Sequence, residues 1–365
     1  MLTPEELKRY NRHIIMSEVK LKGQEQLKKA KVLVIGAGGL GCPVLQYLTA
    51  AGVGYIGIVD DDRVELSNLQ RQILFRSDDI GKFKAKAAAE AMRQLNPFTE
   101  FSIYEERLIS KNALQIFKNY DIIVDGTDNF ETRYLINDVC VVLNKPFVFG
   151  SIFKFDGQVS VFNYQEGPTY RCLFPEPPQE MPNCSQVGVM GTLPGIVGSY
   201  QANEVLKIVL GIGDVLKGKL LTIDTLNDEH HVLSFKKIEE NGYRKVLNDY
   251  SMYQNTSCAT DDVSVITVDE LAEEINNVFL VDVRESYEYD ICHLSDALLI
   301  PFDDLKHSVG GIPRTKKVVV YCHHGSRSND AIKMLSSEYG FTNLVSLEGG
   351  IDEWAEQVDN SFERY

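Results

Sequence analysis

The residues from Val32 to Val59 carry no charge at all. A run of that length is long enough to span a bilayer, but seven glycines and Pro43 interrupt it. It divides instead into a strand (Val32 to Ile35), a glycine-rich turn, a helix (Pro43 to Ala51) and a second strand (Tyr55 to Val59). Strand-like runs at Glu100 to Ile103, Ile122 to Asp125 and Pro146 to Gly150 continue the alternation with helical patterns. That rhythm predicts a parallel sheet with helices on both faces.

Beyond Gly150 the chain becomes more polar. The proline cluster Phe174 to Pro182 reads as an irregular crossover loop, and Leu193 to Leu210 as a helix, with apolar residues spaced around Glu204 and Lys207. Leu220 to Asp224 and His231 to Phe235 read as a hairpin. The stretch from Asn241 to Asp262 is rich in Asn, Ser, Thr and Tyr without apolar periodicity, so it is the expected linker. The expected organisation is therefore a domain over residues 1–240, a linker over 241–262 and a smaller domain over 263–365.

A net charge of −15 argues against a general nucleic-acid binder, because such affinity rests on clustered Lys and Arg meeting phosphates. The first residues, MLTPEELKRYNRH, lack the apolar core of a secretory signal. Seven scattered cysteines do not form a disulfide framework and suit a reducing compartment. A cytoplasmic protein with no membrane span is expected.

GAGGLG (Gly36 to Gly41) lies between a strand and a helix, where Gly36, Gly38 and Gly39 let backbone N–H groups face phosphate oxygens at a helix N-terminus. Asp60 ends the next strand and suits the ribose hydroxyls of NAD or ATP equally. The following segment, DDDRVELSNLQRQILF, decides between them. A dehydrogenase has no need of Asn68 and Arg71 directly after the ribose carboxylate, whereas a triphosphate can be oriented by the first and clamped by the second. Lys84 opens a helix aimed at the same pocket, while Lys82 and Lys86 read as a solvated face. In VDGTDNFETR, Asp125 and Asp128 follow a strand, where carboxylates suit Mg²⁺ bound with phosphates. Asp125 serves equally as a cap for the next helix.

These elements, with RYNRHI (Arg9 to Ile14) ahead of them, resemble the MoeB/ThiF family of adenylyltransferases from about Leu7 to Phe235. The resemblance implies a Rossmann-like ATP-binding domain with a mixed sheet. It implies that Gly39, Asp60, Ser67 to Arg71, Lys84, Asp128 and Asn129 form the ATP and Mg²⁺ site, and that Arg12 completes the site of the other subunit in a homodimer. The implied substrate is the C-terminal Gly-Gly tail of a small ubiquitin-like β-grasp protein, whose carboxylate attacks the α-phosphorus of ATP.

In the C-terminal part, Cys322 opens CHHGSRS directly after the apolar run Val318 to Tyr321. A strand-to-helix loop turns backbone N–H groups inward and, with the helix dipole, favours negative charge on sulfur. Gly325 permits the tight turn and Arg327 is expected to add positive charge. The C-x4-R spacing is one residue short of the loop that surrounds a phosphate in cysteine phosphatases, which favours sulfur chemistry. VDVRESYEYDICHL, CHHGSR and GGIDEW resemble the three signatures of a rhodanese domain, in order, over about the last hundred residues. Within them Asp282 and Arg284 are expected to support the loop, and His323 and His324 to modulate charge or contact solvent.

Many MoeB/ThiF relatives hold a structural zinc with two C-x-x-C pairs. Here Cys172 remains, Thr169 replaces its partner, and Lys236 to Lys245 contains no Cys. One thiolate cannot hold tetrahedral zinc, so no zinc is expected and Cys172 is read as a core residue, as is Cys42. Cys184, in a Gly-rich polar neighbourhood, matches a second reactive cysteine of sulfur-transferring relatives.

Together the two resemblances imply that a Cys322 persulfide, loaded by a donor such as a cysteine desulfurase or thiosulfate, attacks the adenylated carrier, and that Cys184 releases the thiocarboxylate. The alternative is an activating enzyme for protein conjugation through a Cys184 thioester. The carrier stays open among molybdopterin, thiamine, tRNA-thiolation and cysteine-synthesis pathways.

Overall fold

The uncharged run folds as a strand, β1 (Lys31–Ile35), a helix (Gly41–Ala51) and a second strand, β2 (Tyr55–Val59). The computed structural model describes residues 1–176, 188–242 and 263–364, and the chain forms two compact units, Met1–Asn255 and Thr256–Tyr365.

In the first unit the remaining strands are β3 (Glu100–Tyr104), β4 (Ile122–Asp125), β5 (Phe147–Phe153), β6 (Asp156–Phe162), β7 (Lys219–Asp224) and β8 (Glu229–Ser234). They form one sheet in the order β3-β2-β1-β4-β5-β6-β7-β8. β1 to β5 run parallel to their neighbours, and β5 to β8 pair antiparallel. The apolar rhythm therefore foretold the parallel half, and the expected hairpin is the antiparallel pair β7–β8. β6 lies in the stretch read as merely polar, because DGQVSVF carries too few apolar residues to stand out from its surroundings.

Successive residues of a strand point to opposite faces. Val32 and Val34 of β1 join a core with Val44, Leu45 and Leu48 of the Gly41–Ala51 helix and Ala85 and Ala88 of the Lys84–Leu95 helix. Leu33 and Ile35 join a second core with Phe117, Leu135, Ile136 and Val139 on the other side. Helices thus cover both faces. β1 and β4 are neighbours in the sheet, and the helices that follow them, Gly41–Ala51 and Phe130–Leu143, supply residues to opposite cores. A crevice opens at the strand ends of such a switch point.

The second unit is a five-stranded parallel sheet of β9 (Val265–Ile266), β10 (Phe279–Asp282), β11 (Leu298–Leu299), β12 (Val318–Tyr321) and β13 (Leu344–Leu347), in the order β11-β10-β12-β13-β9. Val318 and Val320 pack with Ile332 and Leu335 on one face, and Val319 and Tyr321 with Ile351 and Trp354 on the other. β12 is central and fully buried, which explains its unbroken apolar sequence.

Gly54, just before β2, has its backbone against Lys28, and a methyl group there would overlap the Lys28 carbonyl oxygen. Gly54→Ala is therefore expected to destabilise the first unit by about 1–3 kcal/mol, read as a lower urea midpoint. An unchanged midpoint would show that the backbone around Lys28 yields freely.

Candidate active sites

The crevice is built on close backbone contact. Gly36 lies at φ +87°, and a Cβ there would come within 2.7 Å of the Gly126 carbonyl oxygen, while a methyl on Gly41 would overlap the Gly36 carbonyl. The Gly36 N–H donates to Val59 O (2.8 Å) and the Gly126 N–H to Ile35 O (2.7 Å), so the ends of β1, β2 and β4 are stitched together. The Asp60 carboxylate accepts the N–H of Ala37 (2.7 Å) and of Asp62 (2.9 Å). Burial pushes its pKa up to about 6, against the opposing pull of those N–H groups and Lys84. In this structure Asp60 anchors the glycine loop, a role its sequence position did not reveal.

Of the residues expected to bind nucleotide, all but Leu69 line one cleft of about 790 Å³, a volume suited to a small-molecule ligand. Lys84 is buried and its Nζ lies 2.8 Å from Asp62 Oδ2, whereas Lys82 and Lys86 are exposed. Arg71 donates to Ser67 O at 3.0 Å. Asn68 is buried and accepts the Glu65 N–H at 3.2 Å. Asn129 caps the Phe130–Leu143 helix by accepting the Thr132 N–H at 2.9 Å.

The two carboxylates at the end of β4 part company. Asp125 is fully buried and accepts Arg133 Nε (2.9 Å), the Thr127 N–H (2.9 Å) and the Thr127 hydroxyl (2.6 Å). It is neither a cap of the next helix nor open to a metal. Arg133 also donates to the Thr127 and Gly150 carbonyls and lies 5.0 Å from the Phe149 ring. Burial is the largest influence and opposes its charge, but Asp125 and Tyr170 together outweigh it and raise its pKa. Gln201 donates to the Asp125 carbonyl at 2.6 Å. Arg133 and Gln201 were missed because only the fold brings them to Asp125. Asp128 is exposed in the cleft, with no hydrogen-bond partner among the described residues. The carboxylates of Asp60, Asp61 and Asp62 lie within 4.8 Å of one another, but Asp60 is bound to backbone N–H groups and Asp62 to Lys84. Asp128 is thus the better fit for a nucleotide-bound Mg²⁺.

Arg12 sits in the helical turn Asn11–Ile14, exposed, and does not line its own chain's cleft. Cys42 is buried and burial pushes its thiol up to about 12. Cys172 is also buried; its sulfur accepts the Ile238 N–H (3.3 Å) and meets the Thr169 hydroxyl (3.4 Å), while Asn241 bonds both Thr169 and the Arg171 carbonyl. Among the described residues, hydrogen bonds thus join the two segments around one thiol, a donor set that by itself does not fit a tetrahedral zinc. Cys184 and Cys258, and the expected linker from residue 243 onward, lie outside the described residues.

In the second unit β12 ends at Tyr321 and a helix begins at Ser326, so Cys322 occupies the expected loop. Gly325, at φ +94°, turns its N–H onto Cys322 Sγ (3.2 Å). Ser328 is fully buried, donates to Gly325 O (2.9 Å), meets the Ser346 hydroxyl (2.8 Å) and lies 3.8 Å from Sγ. The GGIDEW segment closes the loop from behind: Ile351 and Asp352 donate to the Cys322 and His323 carbonyls. Asp282 and Arg284 form a fully buried ion pair, and Arg284 also bonds Cys292 O. Arg327 departs from expectation. Its guanidinium makes two 2.6 Å bonds to the Glu288 carboxylate, so its charge is spent there. His323 is driven down to about 4 by burial and by His324, whose ring stacks on it at 4.0 Å.

Comparison with known proteins covers both units. Residues 10–245 match the ThiF family and residues 267–357 the rhodanese-like domain. The chain is 41% identical over 382 residues to the probable adenylyltransferase/sulfurtransferase MoeZ of Mycobacterium tuberculosis, covering 100% of this chain and 96% of that protein. It is 38% identical over 401 residues to the adenylyltransferase and sulfurtransferase MOCS3 of Culex quinquefasciatus, covering 100% and 90%. Among solved structures it is similar to E. coli MccB with ATP, at 24% identity and a TM-score of 0.53 over 59% of this chain and 66% of that one. This last likeness is one of fold.

Because folding raises the Asp60 pKa from 3.8 to about 6, the folded state holds this proton more tightly than the unfolded chain. The group's contribution to stability is full below pH 4 and is lost as pH rises through 6. Against Asp60→Asn, which cannot titrate, the wild type is expected to lose up to about 3 kcal/mol between pH 4 and pH 7, measured by urea unfolding at each pH. A constant difference would show that Asp60 titrates normally.

Proposed function

The chain belongs to the ThiF family and carries a rhodanese-like domain, and from that premise we propose that it is an adenylyltransferase and sulfurtransferase that converts the C-terminal glycine of a ubiquitin-like sulfur carrier into a thiocarboxylate. The observation that carries this reading is the pairing of one cleft that gathers Arg71, Lys84, Asp128 and the glycine loop with a cysteine whose sulfur accepts an N–H at a strand-to-helix turn. A relative from Porphyra purpurea, 39% identical over 368 residues, is named a probable molybdopterin-synthase adenylyltransferase. That name, with those of MoeZ and MOCS3, favours molybdenum cofactor synthesis as the pathway served.

In the first half-reaction the carrier carboxylate attacks the α-phosphorus of ATP and pyrophosphate leaves. The glycine loop presents backbone N–H groups to phosphate, while Arg71 and Lys84 stabilise the developing charge. Lys84 must exchange its Asp62 partner for phosphate, which its exposed, weakly held partner allows. Arg12 completes the pocket of a second copy in a homodimer. Mg²⁺ held by Asp128 together with phosphate oxygens would neutralise charge on the nucleotide. In the second half-reaction the outer sulfur of a Cys322 persulfide attacks the acyl carbon and AMP leaves, producing an acyl disulfide on Cys322. The Cys184 thiolate then attacks Cys322 Sγ, forming a Cys184–Cys322 disulfide and releasing the carrier thiocarboxylate; a thiol reductant restores both cysteines.

Two measurements test this reading. Asp128→Ala is expected to lower ATP–pyrophosphate exchange at least about 100-fold, as the loss of a metal ligand would. Cys322→Ala should retain exchange and abolish the gain of about 16 Da on the carrier that replacement of oxygen by sulfur produces. Loss of exchange in the cysteine variant would refute this division of labour, and modification of a thiamine-type or tRNA-thiolation carrier alone would reassign the pathway. We also propose that the Cys172 clasp works without metal: purified protein is expected to contain less than about 0.1 zinc per chain, with a melting temperature indifferent to EDTA. Stoichiometric zinc would overturn this.

A further inference from the structure

Buried polar atoms are nearly always paired, and one that is not calls for a reason. In the first unit three buried side-chain oxygens have no hydrogen-bond partner among the described residues: Thr49 Oγ1, Gln72 Oε1 and Gln201 Oε1. Gln201 still uses its amide nitrogen on Asp125 O. Of the three residues only Gln72 lines the nucleotide cleft, and it is 4% exposed. Its backbone is satisfied, with the N–H on Asn68 O (2.9 Å) and the carbonyl accepting the Phe75 N–H (3.1 Å). The residue is therefore fixed in the cleft wall, while its carboxamide bonds to none of the described residues.

Position assigns the ligand. Arg71 and Gln72 both reach back to the glycine loop: a Cβ on Gly39 would lie 3.8 Å from Arg71 Cγ, and one on Gly38 would lie 3.8 Å from Gln72 Nε2. Asp60, expected at the ribose, grips the N–H of Ala37, one residue before Gly38. The phosphate bonded to the ribose is the α-phosphate, so it is the group that meets Gly38 and the carboxamide. Its oxygens are acceptors, and a carboxamide supplies N–H donors without adding charge. We propose that Gln72 is a further substrate-binding residue of the adenylation site, with Nε2 donating to a non-bridging oxygen of the α-phosphate and holding the phosphorus for attack; the proposal rests on the adenylyltransferase reading above. Arg71 and Lys84 each leave a protein partner to reach phosphate, Ser67 O and Asp62, whereas Gln72 leaves none among the described residues. In the step served, a carrier carboxylate oxygen bonds to the α-phosphorus and the bond to pyrophosphate breaks, its electron pair leaving on pyrophosphate. A donor already aimed at a non-bridging oxygen stabilises the charge carried there in the transition state. A carboxylate at position 72 would face the phosphate with like charge.

The test uses the full-length protein and a molybdopterin-type Gly-Gly carrier, and follows ATP–pyrophosphate exchange, urea unfolding and calorimetric titration with ATP and Mg²⁺. Gln72→Met keeps the length of the side chain and removes both of its hydrogen-bonding atoms. It is expected to lower kcat for exchange at least about 30-fold, as loss of one transition-state donor does. Its urea midpoint should stay unchanged or rise, because an unpaired buried oxygen has been removed. Gln72→Glu is expected to lose exchange at least as far and to weaken ATP binding at least about tenfold through like charge. Exchange by Gln72→Met within about threefold of wild type would overturn the proposal, since a single donor is worth more than that. So would a loss of exchange accompanied by a lower urea midpoint, which marks a structural residue. If Gln72→Met does not fold, Gln72→Glu decides, and wild-type ATP affinity in that variant overturns the proposal. Absence of exchange in the wild type would instead sink the adenylyltransferase reading, and the proposal with it.

Discussion

Gly36, Gly41 and Gly126 let stretches of backbone touch where side chains would collide, and the crevice of the first unit depends on that contact. A methyl group at Gly41 would displace the Gly36 carbonyl, and one at Gly36 would press on Gly126. With the three in place, β1 and β4 end side by side, and Gly36, Gly38 and Gly39 in the loop before the Gly41–Ala51 helix put bare backbone along the cleft. The Asp60 carboxylate completes the arrangement by gripping the Ala37 N–H. Close approach of backbone is what glycine alone provides, and phosphate recognition by N–H groups needs it.

Charge within the first unit is divided between permanent and exchangeable pairs. The Asp125–Arg133 pair is buried on both sides, and Arg133 reaches carbonyls on two further segments. Removing either partner would strand a buried charge, so the pair acts as a fixed strut. Lys84 is also buried, yet its partner Asp62 is largely exposed. An exposed carboxylate is well hydrated when released, which makes this pair the one a phosphate can replace at small cost. The same residue types thus serve architecture and binding according to burial alone.

The Cys322 loop follows a parallel logic. The Gly325 N–H donates to the sulfur and the Ser328 hydroxyl, itself held by Ser346, lies 3.8 Å from it, while the charged side chains nearby are tied to one another. The groups that touch the sulfur are thus polar and uncharged.

Much of this was legible in the sequence. The uncharged Val32 to Val59 run, the apolar strand before Cys322, and the spacing of Asp60, Arg71, Lys84 and Asp128 determined an α/β fold with a cleft that gathers those four side chains and a cysteine at a strand-to-helix loop, because period, glycine and strand-to-helix order are local properties. β6 was not legible, since a short strand with mixed polarity draws its stability from β5 and β7. Nor were the roles of Asp125, Arg133 and Arg327. Asp125 turned from candidate metal ligand to buried strut, and Arg327 from free cation to half of an ion pair, because each partner lies far enough along the chain that only folding brings it near: eight residues for Arg133 and 39 for Glu288. Local sequence decided which residues face the sites, whereas tertiary packing decided which charges remain available there, since an ion pair depends on distance in space and burial.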